Sequence, residues 1–158
     1  MSTPPPAGLR PPKTTAHLEQ LRAMIRGEHP APGVAKLVGL EFVSIELGRS
    51  VFEMNTGPQH ANPMGTLHGG IVCDLADAAL GTAMASTLED DESFTSLDLS
   101  AKFLKPVWTS RIRATAAMVK RTRTIGLLEC DVTDPEGSLV ARLYSSCMVL
   151  RGADARGR

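Results

Sequence analysis

The segment from Ile71 to Leu88 constrains the fold more than any other part of the chain. It is the longest apolar stretch, yet Asp74 and Asp77 interrupt it, and Ala76, Ala78, Ala79, Gly81, Ala83 and Ala85 keep it thin. A membrane span would not carry two carboxylates, and a surface helix would show a face of long polar side chains. The pattern predicts a helix opened by His68-Gly69-Gly70, running to about Ser86, with other backbone packed closely on several sides.

The flanking segments have a different period. Val43, Ile45 and Leu47 alternate with Ser44 and Glu46, and Gly48-Arg49-Ser50 turns into a partner strand over Val51–Thr56. Leu97, Leu99, Ala101 and Phe103 alternate through Thr95–Leu104; Ile112, Ala114, Ala116 and Met118 do so through Arg111–Arg121. Two further extended runs, Thr124–Thr133 and Leu139–Leu150, meet at Asp134-Pro135-Glu136-Gly137, a strong turn signal. Period-two alternation buries one face of each strand. Two strands, one helix and then three or more strands give an α+β fold in which a curved antiparallel sheet wraps around one long central helix.

The ends read differently. Five of the first twelve residues are proline, without apolar periodicity, so residues 1–13 are expected to be a disordered tail. Thr14 or Thr15 can cap a short amphipathic helix with Leu18, Leu21, Met24 and Ile25 on one face, ended by Gly27 and Pro30; a helical turn at Val34–Val38 completes an N-terminal helical segment over 14–38. The sheet-and-helix domain then spans 39–150, and residues 151–158 are a polar, flexible tail. A length of 158 residues suits one domain, and a formal net charge of zero argues against general affinity for nucleic acid or an anionic membrane. Cys73, Cys130 and Cys147 are odd in number and widely spaced, as expected of reduced thiols; with no secretion-signal pattern, the chain is expected to be cytoplasmic.

Two features of the helix can carry chemistry. The first amides of a helix lack intrahelical partners and favour negative charge, and Gly69 and Gly70 let a carbonyl oxygen approach them; alternatively the two glycines only permit a tight entry to the helix. Asp77 is a carboxylate amid alanines, with Cys73 and Gly81 at one-turn spacing unable to neutralise it. If buried, it is costly and so a functional candidate; a partly exposed position removes that argument. Asp74 is the weaker rival. Eight residues separate Gly69 from Asp77, roughly 12 Å along the axis. One carbonyl cannot touch both groups of the same chain, so either two subunits share the site about a two-fold axis or one assignment fails. Cys73 has no histidine at helical spacing to activate it, and His60 and His68 lack a third metal ligand at recognisable spacing; neither a thiol nucleophile nor a metal is expected.

Asn62-x-x-Gly65-x-x-His68-Gly69-Gly70, followed by Leu75-Ala76-Asp77, closely resembles the PaaI-like branch of the hotdog-fold thioesterases. Thr95-Ser96-Leu97-Asp98-Leu99 and Lys102-Phe103-Leu104-Lys105-Pro106-Val107 match the strand after the helix in that family, and the resemblance runs from about Val34 to Leu150. It implies the hotdog fold, hydrolysis of acyl-CoA thioesters without a separate cofactor, since coenzyme A is part of the substrate, and a homodimer, often a dimer of dimers. It also implies roles. The Gly69 N–H, flanked by Gly70, polarises the carbonyl; Asp77 of the partner subunit activates water or attacks directly; Asn62 orients the water or thioester. His68 holds the loop and Asn62, or acts directly; Ser96 assists the water, or is only a polar strand residue. Arg121 and Arg123, in the basic run Lys120–Arg123, can grip coenzyme A phosphates, with Lys102 and Lys105 as weaker candidates and a solvated hairpin tip as the simple alternative. Met64, Cys73, Met84 and Leu88 fall at variable lining positions and do not specify the acyl group. The rival functions are a non-catalytic acyl-CoA-binding module and a hotdog hydratase or dehydratase.

Overall fold

The computed structural model describes Leu9 and residues 11–156; the expected tail over residues 1–8 and at Arg10, and the last two residues, lie outside the described residues. Helices α1 (Ala16–Ile25) and α2 (Gly33–Val38) lead into β1 (Glu41–Glu46) and β2 (Arg49–Asn55); α3 (Gly69–Ala85) follows, then β3 (Glu92–Ser96), β4 (Ser100–Phe103), β5 (Arg111–Arg121), β6 (Ile125–Thr133) and β7 (Leu139–Arg151). All strand pairs are antiparallel, in the order β1-β2-β5-β6-β7-β3, with β4 also on β7. The sheet holds α3 against one face, and this is the α+β hotdog architecture.

Alternation in the sequence becomes burial in the sheet. Ile112, Ala114, Ala116 and Met118 of β5 face the core while Arg111 and Arg113 face outward. Helix α3 answers with Val72, Leu75, Ala76, Ala79, Leu80, Ala83 and Met84. Complete burial of Leu75, Leu80 and Met84 contributes about 1.5–3 kcal/mol each. The small residues let helix and sheet approach closely, and at β6 the approach is tight. A Cβ on Gly126 would come within 2.6 Å of the Met84 sulfur, so only glycine seats Met84 there.

The opposite stripe of α3, Gly70, Asp74 and Asp77, is exposed in the single chain. Asp77 is therefore not a buried carboxylate: of the two positions the sequence left open, buried or partly exposed, the structure shows the exposed one. Alanine and glycine fill so much of this helix that the sequence alone does not settle how far Asp77 stands clear of its neighbours.

The run Thr95–Leu104 is not one strand. β3 pairs with Cys147–Arg151 and β4 with Ala141–Tyr144, and the edge breaks at Leu97–Leu99. There the Asp98 carboxylate accepts from the Ser146 amide (2.9 Å) and hydroxyl (2.7 Å), replacing ladder hydrogen bonds. Those bonds hold the Asp98 carboxyl below the usual carboxylate range.

Both ends of the domain are tied down. Leu18 and Leu21 of α1 pack with Ile45; the Lys13 amide donates to Glu89 (2.9 Å), and the Thr14 hydroxyl bonds Asp90. At the other end, Arg151 does not fray: it ends β7 in an ion pair with Glu92, and a 3-10 turn over Gly152–Ala155 follows.

Candidate active site

The loop before α3 is organised by Asn62. Its side-chain oxygen accepts from the amides of Met64 (2.9 Å) and Thr66 (3.2 Å), while its NH2 donates to the Thr66 hydroxyl (2.8 Å). Asn62 thus folds the turn over residues 62–66, and one amide hydrogen remains after these bonds. His68 does not hold Asn62, as expected from the sequence. Its backbone amide donates to the His60 carbonyl (2.8 Å), and its ring caps α3 by accepting the Gly70 amide at Nδ1 (2.9 Å). With Nδ1 as acceptor, neutral His68 carries its proton on Nε2.

That cap decides which glycine amide is free. Gly70 N–H is taken by His68 Nδ1, and the Ile71 and Val72 amides reach the His68 carbonyl at 3.0 and 3.4 Å. Only the Gly69 amide of this first turn is open among the described residues, at the positive end of the α3 dipole. Gly70 therefore contributes a tight cap rather than a second donor. A Cβ on Gly69 would lie 2.9 Å from the Phe103 ring of β4, so the ring, not only the backbone turn, requires glycine there. Nothing local in the sequence links Phe103 to Gly69.

Asp77 lies two turns further along the exposed stripe. Neither a hydrogen bond nor an ion pair engages its carboxylate among the described residues. Although solvent reaches it, partial desolvation on the crowded side raises its pKa above the ordinary carboxylate value, and repulsion from Asp74 adds to the rise. Ser96, at the end of β3, approaches the Cys147 sulfur at 3.8 Å, and burial, with smaller contributions from the Asp77 and Asp98 charges, raises the pKa of that thiol. The structure therefore brings Asp77, Ser96 and Cys147 into one neighbourhood, while the Gly69 amide belongs to the other end of the same unbroken helix, roughly 12 Å along its axis.

Cys73 is half-buried, and desolvation together with Asp74 and Asp77 pushes its pKa up, which keeps the thiol protonated and a poor nucleophile. His60 is buried, its Nδ1 accepting from the Gly57 amide at 3.2 Å. Among the described residues, no group of three or more His, Cys, Asp or Glu side chains converges as metal ligands, and no helix is long and apolar enough to cross a membrane.

The basic candidates separate. Arg121 is engaged by the buried Glu92 at 2.9 Å, with Arg151 on the other carboxylate oxygen. Burial works against the Arg121 charge and Glu92 works for it. Arg121 is thus committed to the fold rather than presented to a phosphate. Lys105 is paired with Asp134, and Lys102 is exposed. Arg123 is exposed at the β5–β6 turn and lines, with Lys13, Arg121 and Arg151, a cleft of about 530 Å³ beyond the C-terminal end of α3.

Similarity to known proteins agrees with this arrangement. The family model described as the thioesterase superfamily matches residues 64–141, from the loop before α3 into β7. Over these residues the chain is similar to the thioesterase superfamily. It is 29% identical over 117 residues to 1,4-dihydroxy-2-naphthoyl-CoA hydrolase of Listeria monocytogenes, covering 74% of this chain and 94% of the relative. It is 28% identical to human acyl-coenzyme A thioesterase 13, covering 81% and 93%. Among solved structures, the phenylacetic acid degradation-related protein of Ralstonia eutropha JMP134 superposes with a TM-score of 0.74 at 28% identity, covering 81% of this chain and 98% of that one. The E. coli PaaI protein, with a TM-score of 0.76 at 21% identity over 87% and 96%, shares the hotdog fold.

Proposed function

We propose that this chain hydrolyses acyl-CoA thioesters at a site shared between two subunits. The observation that carries this reading is the division of labour along α3: the open Gly69 amide at one end, and the unpaired Asp77 carboxylate about two turns away. A homodimer about a two-fold axis juxtaposes Gly69 of one protomer with Asp77 of the other, twice over. The exposed apolar side chains of Leu97, Leu99, Phe103 and Leu104 along the β3–β4 edge support that pairing.

In this mechanism the thioester carbonyl accepts a hydrogen bond from the Gly69 N–H, which stabilises the oxyanion as it forms. Asp77, its pKa raised by desolvation and by Asp74, takes a proton from water as general base or attacks the carbonyl itself; collapse of the tetrahedral adduct then breaks the C–S bond and releases coenzyme A, whose thiolate takes up the proton. Asn62 offers its remaining amide hydrogen to the thioester or the water, and Ser96 hydrogen-bonds the water beside Asp77. The Arg123 guanidinium, without an ion pair among the described residues, and the exposed Lys102 are the basic candidates that remain for coenzyme A phosphates.

The test is thiol release from aryl, short, medium and long acyl-CoAs. Asp77→Asn should lose turnover while retaining substrate binding; retained activity would transfer the role to Asp74. Mixing inactive Asp77→Asn with the weakened Gly69→Ala should raise turnover above that of either parent by restoring about a quarter of the wild-type sites, because half the dimers are mixed and each has one intact site. Tight binding without thiol release from any acyl-CoA would leave a non-catalytic binding module, and hydration of an enoyl thioester without thiol release would indicate a hydratase.

A further inference from the structure

Strand β7 carries two polar side chains into the core that the reaction as described leaves unused. Ser145 and Cys147 lie on the inward row of β7 between Leu143 and Val149, with 4% and 0% of their surface exposed. A hydroxyl so buried is costly unless it is bonded. The Ser145 hydroxyl donates to the carbonyl of Asp98 (2.8 Å), inside the break between β3 and β4. It also meets the Cys147 sulfur at 3.9 Å, and that sulfur in turn meets the Ser96 hydroxyl at 3.8 Å. Both distances are long, as hydrogen bonds of a weakly polar sulfur are. Ser96 is the β3 residue opposite Cys147 in the ladder, and it is exposed.

Counting hydrogens gives this chain of contacts a direction. The Asp98 carbonyl has none, so the single Ser145 hydroxyl hydrogen is spent on it, and toward Cys147 Ser145 can only accept. The thiol hydrogen therefore goes to Ser145, which leaves the sulfur as acceptor for Ser96. The Ser96 hydrogen is then turned inward, and its oxygen presents only lone pairs to solvent. Burial keeps the Cys147 thiol protonated, so the hydrogen that sets the direction is not lost. The Asp77 charge is felt at the same thiol, which places the outer end of the chain in the neighbourhood of that carboxylate.

We propose that Ser145 and Cys147 are positioning residues that hold the Ser96 hydroxyl as an acceptor for the water beside Asp77. This rests on the hydrolytic reading above and adds the buried half of its water site. In the route through water, one hydrogen stays on Ser96 and the other points to Asp77, so the oxygen lone pairs are free for the thioester carbonyl. As the O–C bond forms, one O–H bond breaks and its proton passes to Asp77. Asp98 then has two tasks: its carboxylate ends the edge strand on Ser146, and its carbonyl anchors the chain through Ser145.

Kinetics and infrared spectroscopy test it, on variants whose folding circular dichroism verifies. Cys147→Ala removes the acceptor for Ser96 and should lower kcat about two- to tenfold at unchanged KM. Cys147→Ser keeps one donor and one acceptor and should recover most of that loss. A thiol that only filled the core would be replaced better by alanine than by a buried hydroxyl. In a Ser96→Ala background, Cys147→Ala should cost no further rate. The Cys147 S–H stretch, assigned by its disappearance in Cys147→Ser, should shift in Ser145→Ala, where the thiol loses its acceptor, and stay in place in Ser96→Ala. An unchanged kcat in Cys147→Ala, additive losses with Ser96→Ala, or a band unmoved by Ser145→Ala overturns the proposal. A wild-type chain that releases no thiol from any acyl-CoA overturns the hydrolytic reading, and the band shifts still decide the direction of the chain of contacts.

Discussion

Two carboxylates at opposite parts of the same helix–sheet contact are treated in opposite ways. Glu92, at the start of β3, is buried and clamped between Arg121 and Arg151. Asp77, midway along α3, is open to solvent, has no partner among the described residues and sits beside a second acid, Asp74. Burying a charge without partners costs several kcal/mol, which explains the two arginines at Glu92. Asp77 shows the reverse economy: a charge left unsatisfied where any nearby Lys or Arg would have quenched its basicity. The paired Glu92 holds the fold, and the unpaired Asp77 suits the role proposed for it.

Substitutions can break or sharpen that contrast. The largest effect is expected on turnover: Asp77→Asn should lower kcat about a hundredfold or more, measured by thiol release, and an unchanged rate would end the contrast. Next comes Glu92→Gln, which leaves Arg121 and Arg151 without their countercharge and should cost about 3–5 kcal/mol in denaturant unfolding. Gly69→Ala should follow, through the 2.9 Å approach to Phe103; a drop in kcat of about tenfold is expected. Adding Phe103→Ala should restore stability more fully than rate if the Gly69 amide is the oxyanion donor. His68→Ala removes the α3 cap and should cost about 1 kcal/mol.

The smallest effect concerns Asp77 and stability. Its pKa is raised in the folded chain, so the fold binds that proton more tightly than the unfolded chain does. The penalty on the charged form is full above the raised value and lifts as pH falls through it toward the ordinary carboxylate range. Asp77→Asn should therefore raise Tm at neutral pH, on the order of a degree, with the gain vanishing in acid where both side chains are neutral. Activity should show a falling acid limb at a pH above the ordinary aspartate pKa.

The hotdog fold was legible because its signals are local. Ile112, Ala114, Ala116 and Met118 alternate because one face of β5 is buried, and His68-Gly69-Gly70 marks the helix start because capping is decided within a few residues. Where partners are far apart in sequence, the reading stopped. Arg121 looks like any turn arginine until Glu92, 29 residues away, takes it. The strand break at Asp98 is invisible because Leu97, Leu99, Ala101 and Phe103 keep perfect alternation through it. Whether Asp77 is buried stayed open because it sits among alanines, whose side chains say little about which way a helix faces. Phe103 over Gly69 and Cys147 beside Ser96 carry no local signal at all.

The break at Asp98 has one more consequence. Runaway strand-on-strand growth needs a long, straight rail of open amides. The edge opposite β1 offers only the five residues of β3 and the four of β4, roughly 17 and 13 Å of template, separated where Asp98 has turned aside to Ser146. A filament would have to bridge that gap at every layer, so the carboxylate that interrupts the ladder also guards the chain against polymerising along this margin.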